Sequence, residues 1–266
     1  MPKSETQAAA DGATQTKEEI DKMSENNSFL GIPGWYPRLG AYSLFTTFVA
    51  LPEEARRYLG TADREHFEGA EEINRQVVEL LKRPMEAFSG YVFATVDRCA
   101  PTDTRRFAER HGAVHRASQA WHMLCASEKV RRSAAAGEVS SICLRPFHRM
   151  NVPREFRLFI RNGELVAMSQ YHLVRHFRRL EGVRSKYWKL AEKLIKLVGW
   201  MLPLEELVMD IYISSDDRTY IVDLNPWGPP TDPLLLRSWD RDWSKPVGIV
   251  LMDPPAKLSG NVDVSF

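Results

Sequence analysis

Three oxygen-bearing side chains on two otherwise apolar strands constrain this chain more than any other feature. Residues 207–213 and 219–224 are β-rich runs that flank the turn residues 214–217 (SSDD), so they predict a β-hairpin. The hairpin carries Asp210, Asp223 and Asn225, and carboxylates on such apolar strands are costly to bury without a compensating partner. Because side chains alternate along a strand, Asp223 and Asn225 share one face.

Two interpretations of these three residues are open at this point. Two carboxylates and one amide oxygen suit a hard, octahedral cation such as Mg²⁺, with phosphates and water completing its shell. Alternatively, Asp223 and Asn225 only cap the turn that Pro226 and Gly228 create. The spacing of the residues does not decide between a metal site and a turn.

Composition excludes several classes of protein. With 266 residues, 44% of them hydrophobic, the chain can build one domain or two tightly joined lobes. A formal net charge of +1 argues against a general attraction to nucleic acid or membranes. Three dispersed cysteines argue against a disulfide framework or a zinc knuckle and are typical of a reducing compartment: Cys99, Cys125 and Cys143. Without an apolar membrane span or a secretory signal, a cytoplasmic location is expected.

Apolar periodicity predicts one folded domain between two tails. Residues 1–28 are polar and predict a disordered tail, 29–250 predict the domain, and 251–266 predict an irregular, Pro-rich tail. Strands are expected in the runs 44–51, 90–96 and 141–147. Helices are expected from Pro52, over 68–82 with Pro84 ending the helix, twice within 104–136 with Ser127 and Gly137 bounding the second, and over 184–200.

The clearest local pattern is a second hairpin over residues 154–171. Two alternating runs flank Asn162-Gly163, the strongest short hairpin signal. Phe156, Leu158 and Ile160 form its core face, and the opposite face is either solvated or the floor of a cleft: Glu155, Arg157, Phe159 and Arg161. On the cleft interpretation Arg157 holds a phosphate while Glu155 holds Arg157. Antiparallel hairpins mixed with helices predict the α+β class.

Other groupings are weaker indications. A basic run crosses residues 172–189, and Lys186, Lys189, Lys193 and Lys196 form one helical stripe that is either solvated or docks an acidic partner or RNA. Three tryptophans near the C-terminus are either core residues or docking anchors: Trp227, Trp239 and Trp243. There is no glycine-rich phosphate loop, and neither a nucleophilic triad nor a histidine zinc site has a supporting motif.

Several stretches, taken together, resemble the cell division cycle protein 123 family over about residues 35–243. They are WYPRL, LPEEARRYL, YVFATVDRCAPTD, CLRPF, REFRLFIRNGELVAMSQY and the segment from VMDIY to LLLRSW. The most specific are DIY, DLNPWGPPTDPLL and EFRLFIRNG. The resemblance implies an α+β, ATP-grasp-like fold in which two lobes with antiparallel sheets enclose a nucleotide cleft.

The family binds ATP and Mg²⁺, so the resemblance also implies a site. It assigns the metal to Asp210, Asp223 and Asn225, and thereby favours the metal over the turn and the cleft over the solvated face. It assigns the nucleotide to eight positions: Thr95, Ala100, Asp103, Leu144, Arg145, Phe147, Glu155 and Arg157.

The chain departs from the family pattern at the phosphate side of that site. Thr95 stands where the family has a lysine that reaches the phosphates, and Pro146 replaces a hinge lysine. Arg98 and Cys99 replace a tryptophan and a serine, and we expect Arg98 to supply part of the missing charge. Losing one hydrogen bond to a charged group costs about 1.5–3 kcal/mol, so the affinity for ATP should fall about ten- to hundredfold.

The resemblance implies a function as well as a site. Eukaryotic family members assist assembly of eukaryotic translation initiation factor 2, so a protein partner is expected, namely the gamma subunit of that factor. A monomer without direct nucleic-acid contact is expected. The alternatives are an ATP-grasp ligase or phosphotransferase with an unknown acceptor, or a degenerate relative that binds no nucleotide. Thr95 at the lysine position favours a binding role over catalytic turnover.

Overall fold

The computed structural model describes residues 28–255, which form two β-sheets with helices packed on each. Of the tails predicted for 1–28 and 251–266, residues 1–27 and 256–266 lie outside the described residues. The first sheet has the order β1-β3-β2 and is antiparallel, with β1 Thr47–Ala50, β2 Val92–Val96 and β3 Ser141–Pro146. The second has the order β7-β6-β4-β5-β8, with β4 Glu155–Arg161, β5 Glu164–Gln170, β6 Glu206–Ile213, β7 Thr219–Pro226 and β8 Gly248–Val250.

The N-terminal lobe is the three-stranded sheet with helices that cover one of its faces. These helices are α2 Glu53–Gly60, α3 Ala70–Glu86, α4 Arg105–Arg110, α5 Ala117–Cys125 and α6 Glu128–Ala135. Except for α4, which has no buried residue, their apolar stripes join Ile142 and Leu144 of β3 in one core that includes Leu59, Leu81 and Trp121. The Ser127 side chain caps α6 by accepting a hydrogen bond from the Val130 amide at 3.2 Å, as predicted.

The C-terminal lobe is built from the two predicted hairpins placed side by side. Asn162 and Gly163 both have positive φ angles, 51° and 72°, as a tight hairpin turn requires. Phe156, Leu158 and Ile160 pack beneath α7, Arg178–Val198. Helix α1, Ile32–Leu39, also belongs to this core although it precedes the N-terminal lobe in the chain.

The predicted helix and strand boundaries hold with four exceptions. Pro84 lies inside α3 instead of ending it, because only the last turn follows and little hydrogen bonding is lost there. Three helices, not two, occupy 104–136, since His111 and Gly112 turn left-handed and end α4 early. Helix α7 begins at Arg178, six residues before the predicted start at 184. The C-terminal stretch contains β8, which pairs in parallel with β5.

The three C-terminal tryptophans cover part of the second sheet. Their ring centroids lie 6.2, 5.6 and 5.8 Å from the Phe159 centroid, for Trp227, Trp239 and Trp243 respectively. They form a small apolar cluster with Phe159, whose side chain is fully buried. This packing agrees with the core interpretation of the tryptophans.

Within residues 28–255, no helix combines the length and the apolar character that crossing a membrane requires.

Candidate functional site

The candidate site lies where β4, β6 and β7 run side by side. Register places Arg157 opposite Asp210, and Asp210 opposite Asp223. A bulge between Asp210 and Ile211 shifts the β6–β7 ladder at this point. Three strands therefore bring one guanidinium and two carboxylates together, with Asn225 two residues farther along β7.

Arg157 and Asp210 form a buried, bidentate ion pair. The Arg157 Nε and Nη2 atoms donate to the two Asp210 oxygens at 2.7 and 2.8 Å, and both residues are 7% exposed. Arg157 Nη1 donates to the Asp232 carbonyl at 2.8 Å, and its guanidinium lies 5.2 Å from the Tyr171 ring centroid. The solvated-face interpretation is therefore wrong for Arg157. It fits Arg161, which is half-exposed and pairs with Glu206 at 2.7 Å.

Asp223 is the carboxylate with the least compensation. Within residues 28–255, its Oδ1 accepts a hydrogen bond only from the Leu224 amide, at 3.0 Å. Burial and the nearby Asp210 charge raise the pKa of Asp223 to about 7, against a partial opposing effect of Arg145 and Arg157. Asn225 donates its amide to Asp210 Oδ2 at 3.0 Å. Among the described residues, Asp210 therefore has a direct ion-pair partner, whereas Asp223 has none.

The turn-capping interpretation of Asp223 and Asn225 is wrong. The turn after Pro226 is instead closed by Thr231, whose hydroxyl donates to the Pro226 carbonyl at 2.7 Å and whose amide donates to the Gly228 carbonyl at 3.0 Å. Asp223 and Asn225 point their polar groups toward Asp210 and Leu224 rather than into this turn.

The donor set fits a hard divalent cation. Across the described residues 28–255, no three side chains of the His, Cys, Asp or Glu type gather as a metal cluster. A cation here would therefore rest on two carboxylates and the Asn225 amide oxygen, which suits Mg²⁺ better than a softer metal. Because the pKa of Asp223 is raised, a cation bound beside it would stabilise its ionised form.

Arg145 joins the two sheets at the candidate site. It is 5% exposed, and its Nε donates to Thr46 Oγ1 at 3.0 Å while its Nη1 donates to the Val222 carbonyl of β7 at 2.9 Å. Burial lowers the pKa of Arg145, and the Asp223 charge partly opposes this. Its Nη2 atom is buried without a hydrogen-bond partner among the described residues. One donor of Arg145 thus lacks an acceptor, and an anion bound beside it would supply one.

The other predicted residues of the N-terminal lobe differ in burial and in hydrogen bonding. Thr95 is 4% exposed, and its hydroxyl is buried without a partner among residues 28–255. Leu144 is fully buried in the core of the N-terminal lobe, on the face of β3 opposite Arg145. Phe147 is half-buried and donates its amide to the Tyr91 carbonyl at 2.8 Å.

The loop after β2 is held by its own contacts. Ala100 lies half-buried in this loop. The exposed Asp103 accepts hydrogen bonds from Ser127 Oγ at 2.6 Å and from the Glu128 amide at 2.9 Å, so it caps α6. Arg98, expected to supply charge for a phosphate, instead bonds Glu138 at 3.1 Å. The predicted compensation by Arg98 is therefore not what the structure shows.

Glu155 is not the acid that holds Arg157. Its Oε2 lies 3.1 Å from His172 Nε2, off the direction of a good hydrogen bond, and this carboxylate raises the pKa of His172. Asp210 performs the role that sequence reasoning assigned to Glu155. The sequence analysis missed Tyr171 and Asp232. No motif identifies them, because the Tyr171 ring and the Asp232 carbonyl reach Arg157 only when the chain folds.

Comparisons with known proteins agree with this fold. A sequence profile of the family described as D123 matches residues 61–241, more than half of the chain. The chain belongs to the D123 family. An "eIF2 assembly protein" of Aspergillus fumigatus is 26% identical over 253 residues, 82% of this chain and 60% of that protein. One of Kluyveromyces lactis is 32% identical over 106 residues, 39% of this chain and 28% of that protein. The chain thus spans less than two thirds of these curated relatives.

A solved structure shares the fold. Cdc123 from Schizosaccharomyces pombe aligns with a TM-score of 0.68 and 21% identity over 80% of this chain and 89% of that one. ATP-grasp proteins are among the other solved structures that align. The α+β fold class predicted from the sequence is confirmed, as is the predicted resemblance to the cell division cycle protein 123 family.

Proposed function

We propose that this chain is an ATP- and Mg²⁺-binding assembly factor for eukaryotic translation initiation factor 2, acting in the cytoplasm as a monomer on the gamma subunit. The observation that carries the proposal is the undercompensated Asp223, which lies opposite Asp210 in the β6–β7 register, together with the Arg145 Nη2 atom, which has no partner among the described residues. The relatives named eIF2 assembly proteins support the choice of partner.

In this proposal one set of residues binds Mg²⁺ and another binds the nucleotide. Asp210, Asp223 and Asn225 hold Mg²⁺, which would neutralise phosphate charge when bound. Arg157 orients Asp210 through its bidentate bonds and thus prepares the metal side before any ligand arrives. The nucleotide side comprises Arg145, whose Nη2 atom has no partner among the described residues, and Thr95, Ala100, Asp103, Phe147 and Glu155. Leu144 is left out because it is buried on the other face of β3.

The first test is titration of the protein with ATP in the presence and absence of Mg²⁺. We expect heat of binding and a raised unfolding temperature with both together, and an affinity lower by at least about tenfold in Asp223→Asn because a charged ligand is lost. Asp216→Asn is the matched control, since Asp216 lies in the turn of the same hairpin and is 57% exposed at its side chain. Equal affinity in all three proteins, or no ATP binding at all, would refute the nucleotide part of the proposal.

The second test concerns the partner. Purified gamma subunit of the initiation factor should be retained by the immobilised chain when ATP and Mg²⁺ are present. Retention should fall in Asp223→Asn and remain in Asp216→Asn. If the wild-type chain binds ATP and Mg²⁺ but never retains the gamma subunit, the assembly role fails while the nucleotide site stands.

A further inference from the structure

An exposed apolar tip lies between β5 and α7. Leu173 and Val174 are 43% and 72% exposed, and Val152 on the neighbouring loop is 37% exposed. Two bonds hold these loops together: Arg179 Nη2 donates to Asn151 Oδ1 at 2.8 Å, and the Tyr171 amide donates to the Glu155 carbonyl at 3.1 Å. We call this surface the rim: Val152, Leu173, Val174, Arg175, Arg178 and Arg179.

The rim is positively charged and uncompensated. Arg175, Arg178 and Arg179 are exposed, and in the described part of the chain none of them pairs with a carboxylate. The segment 171–180 contains no acidic residue. The nearest acid in sequence, Glu181, lies 3.2 Å from His176 instead. Three exposed guanidinium groups therefore surround an aliphatic tip without a carboxylate partner among the described residues, although Arg179 bonds Asn151 and Arg175 lies 5.1 Å from the Phe177 ring centroid.

The rim is a constructed surface rather than a loose loop. Gln170 is fully buried and uses its side chain to hold the loop, donating to the His172 carbonyl at 2.7 Å and to the Arg175 carbonyl at 3.2 Å. His176 Nδ1 lies 2.8 Å from the Met252 carbonyl, which ties the loop to the segment that follows β8. A loop held in place before binding loses less entropy when a partner docks.

The rim also adjoins the candidate site. The loop begins at Tyr171, whose ring lies against the Arg157 guanidinium, and its next residue, His172, faces Glu155. A partner seated on the rim would therefore contact residues connected to the Arg157–Asp210 pair.

We infer that the rim docks an acidic segment of a protein partner that also carries aliphatic side chains. Carboxylates complement the three arginines, and an aliphatic side chain complements Leu173 and Val174. RNA fits less well, because single-stranded nucleic acid is bound by stacking on exposed aromatic rings and the rim exposes aliphatic groups instead. The partner's identity rests on the proposed function, whereas the chemistry of the rim does not.

The test uses the full chain and a short fluorescein-labelled peptide of glutamate and leucine, followed by fluorescence anisotropy. We expect Arg175→Glu/Arg178→Glu to weaken peptide binding at least about tenfold, since two exposed ion pairs become repulsive. Lys189→Glu/Lys193→Glu, the same charge change on exposed residues of α7, should bind as the wild type does. Leu173→Ser/Val174→Ser should weaken binding of this peptide but not of one with serine in place of leucine.

Three outcomes would overturn the inference. They are equal losses in the rim and α7 variants, tighter binding of oligouridylate RNA or of phosphatidylserine vesicles than of the peptide, and a peptide affinity unaffected by the rim variants. Titration with ATP and Mg²⁺ serves as the independent readout, because the rim variants should bind both as the wild type does. If the wild type bound the peptide but not ATP, the proposed function would be refuted and the inference about the rim would be unaffected.

Discussion

At the scale of single residues, the site is defined by how charge is compensated. Arg157 satisfies Asp210 with two short bonds, whereas Asp223 relies on one backbone amide and on more distant arginines. Removing one partner of a buried pair costs about 3–5 kcal/mol, so the Arg157–Asp210 pair must be retained for the fold. Asp223 differs, because without a bound cation its ionised form destabilises the folded state.

Asp223→Asn should therefore change how stability depends on pH. The pKa of Asp223 is raised from 3.8 to about 7, so the folded state binds the extra proton and stability falls as pH rises through that window. Relative to the wild type, Asp223→Asn should gain on the order of 1–3 kcal/mol of unfolding free energy between pH 5 and pH 8. Urea unfolding without divalent ions measures this. If the free energy of unfolding depended on pH in the same way in Asp223→Asn, the wild type and Asp216→Asn, the predicted destabilisation by ionised Asp223 would be contradicted.

At the scale of elements, α7 shows how the same residue type can have opposite effects. Gly182 lies exposed within the helix, and an added Cβ would meet nothing within 4 Å. Gly199 follows the helix, where its position allows the hairpin turn to approach, because an added Cβ would lie 2.7 Å from the Gly163 carbonyl oxygen. One glycine weakens the helix, and the other permits its contact with the β4–β5 turn.

The two glycines should respond to alanine in opposite directions. Gly182→Ala should stabilise the protein by about 0.5–1 kcal/mol, since alanine loses less backbone entropy in a helix. Gly199→Ala should destabilise it by about 1–3 kcal/mol, because backbone must move to relieve the clash. Chemical denaturation of both variants checks the signs, and a stabilised Gly199→Ala protein would show that the turn contact is not tight.

At the scale of the whole molecule, the chain crosses between the two cores. Leu39 in α1 is fully buried in the core of the C-terminal lobe, although it lies in sequence before β1 of the other lobe. Leu81 in α3 is fully buried in the core of the N-terminal lobe. Ser43 and Arg145 then bond the Ile221 and Val222 carbonyls of β7, at 2.7 and 2.9 Å, so the two lobes meet beside the candidate site.

Matched leucine truncations should loosen different lobes. Leu39→Ala and Leu81→Ala each remove the same buried atoms, and each should cost about 2–5 kcal/mol. We expect hydrogen exchange to accelerate in β6 and β7 for Leu39→Ala, and in α3 and α5 for Leu81→Ala. Mass spectrometry of exchanged fragments distinguishes them. If both variants gave the same exchange map, α1 would not belong energetically to the C-terminal lobe.

Local features of this protein were determined by the sequence alone. The Asn162-Gly163 turn, the Ser127 cap and the apolar stripe of α7 depend on neighbours within a few residues, so their patterns are readable along the chain. The same holds for the shared face of Asp223 and Asn225, since strand alternation places them together.

Tertiary structure decided which of these residues meet. The register of β4 against β6 selected Asp210 rather than Glu155 as the partner of Arg157, and folding alone brought Tyr171 and Asp232 to the same place. These contacts join segments that are far apart in the chain, and their geometry follows from how both hairpins and both lobes pack. No local preference encodes that packing, because it is the sum of many weak contacts spread across the molecule.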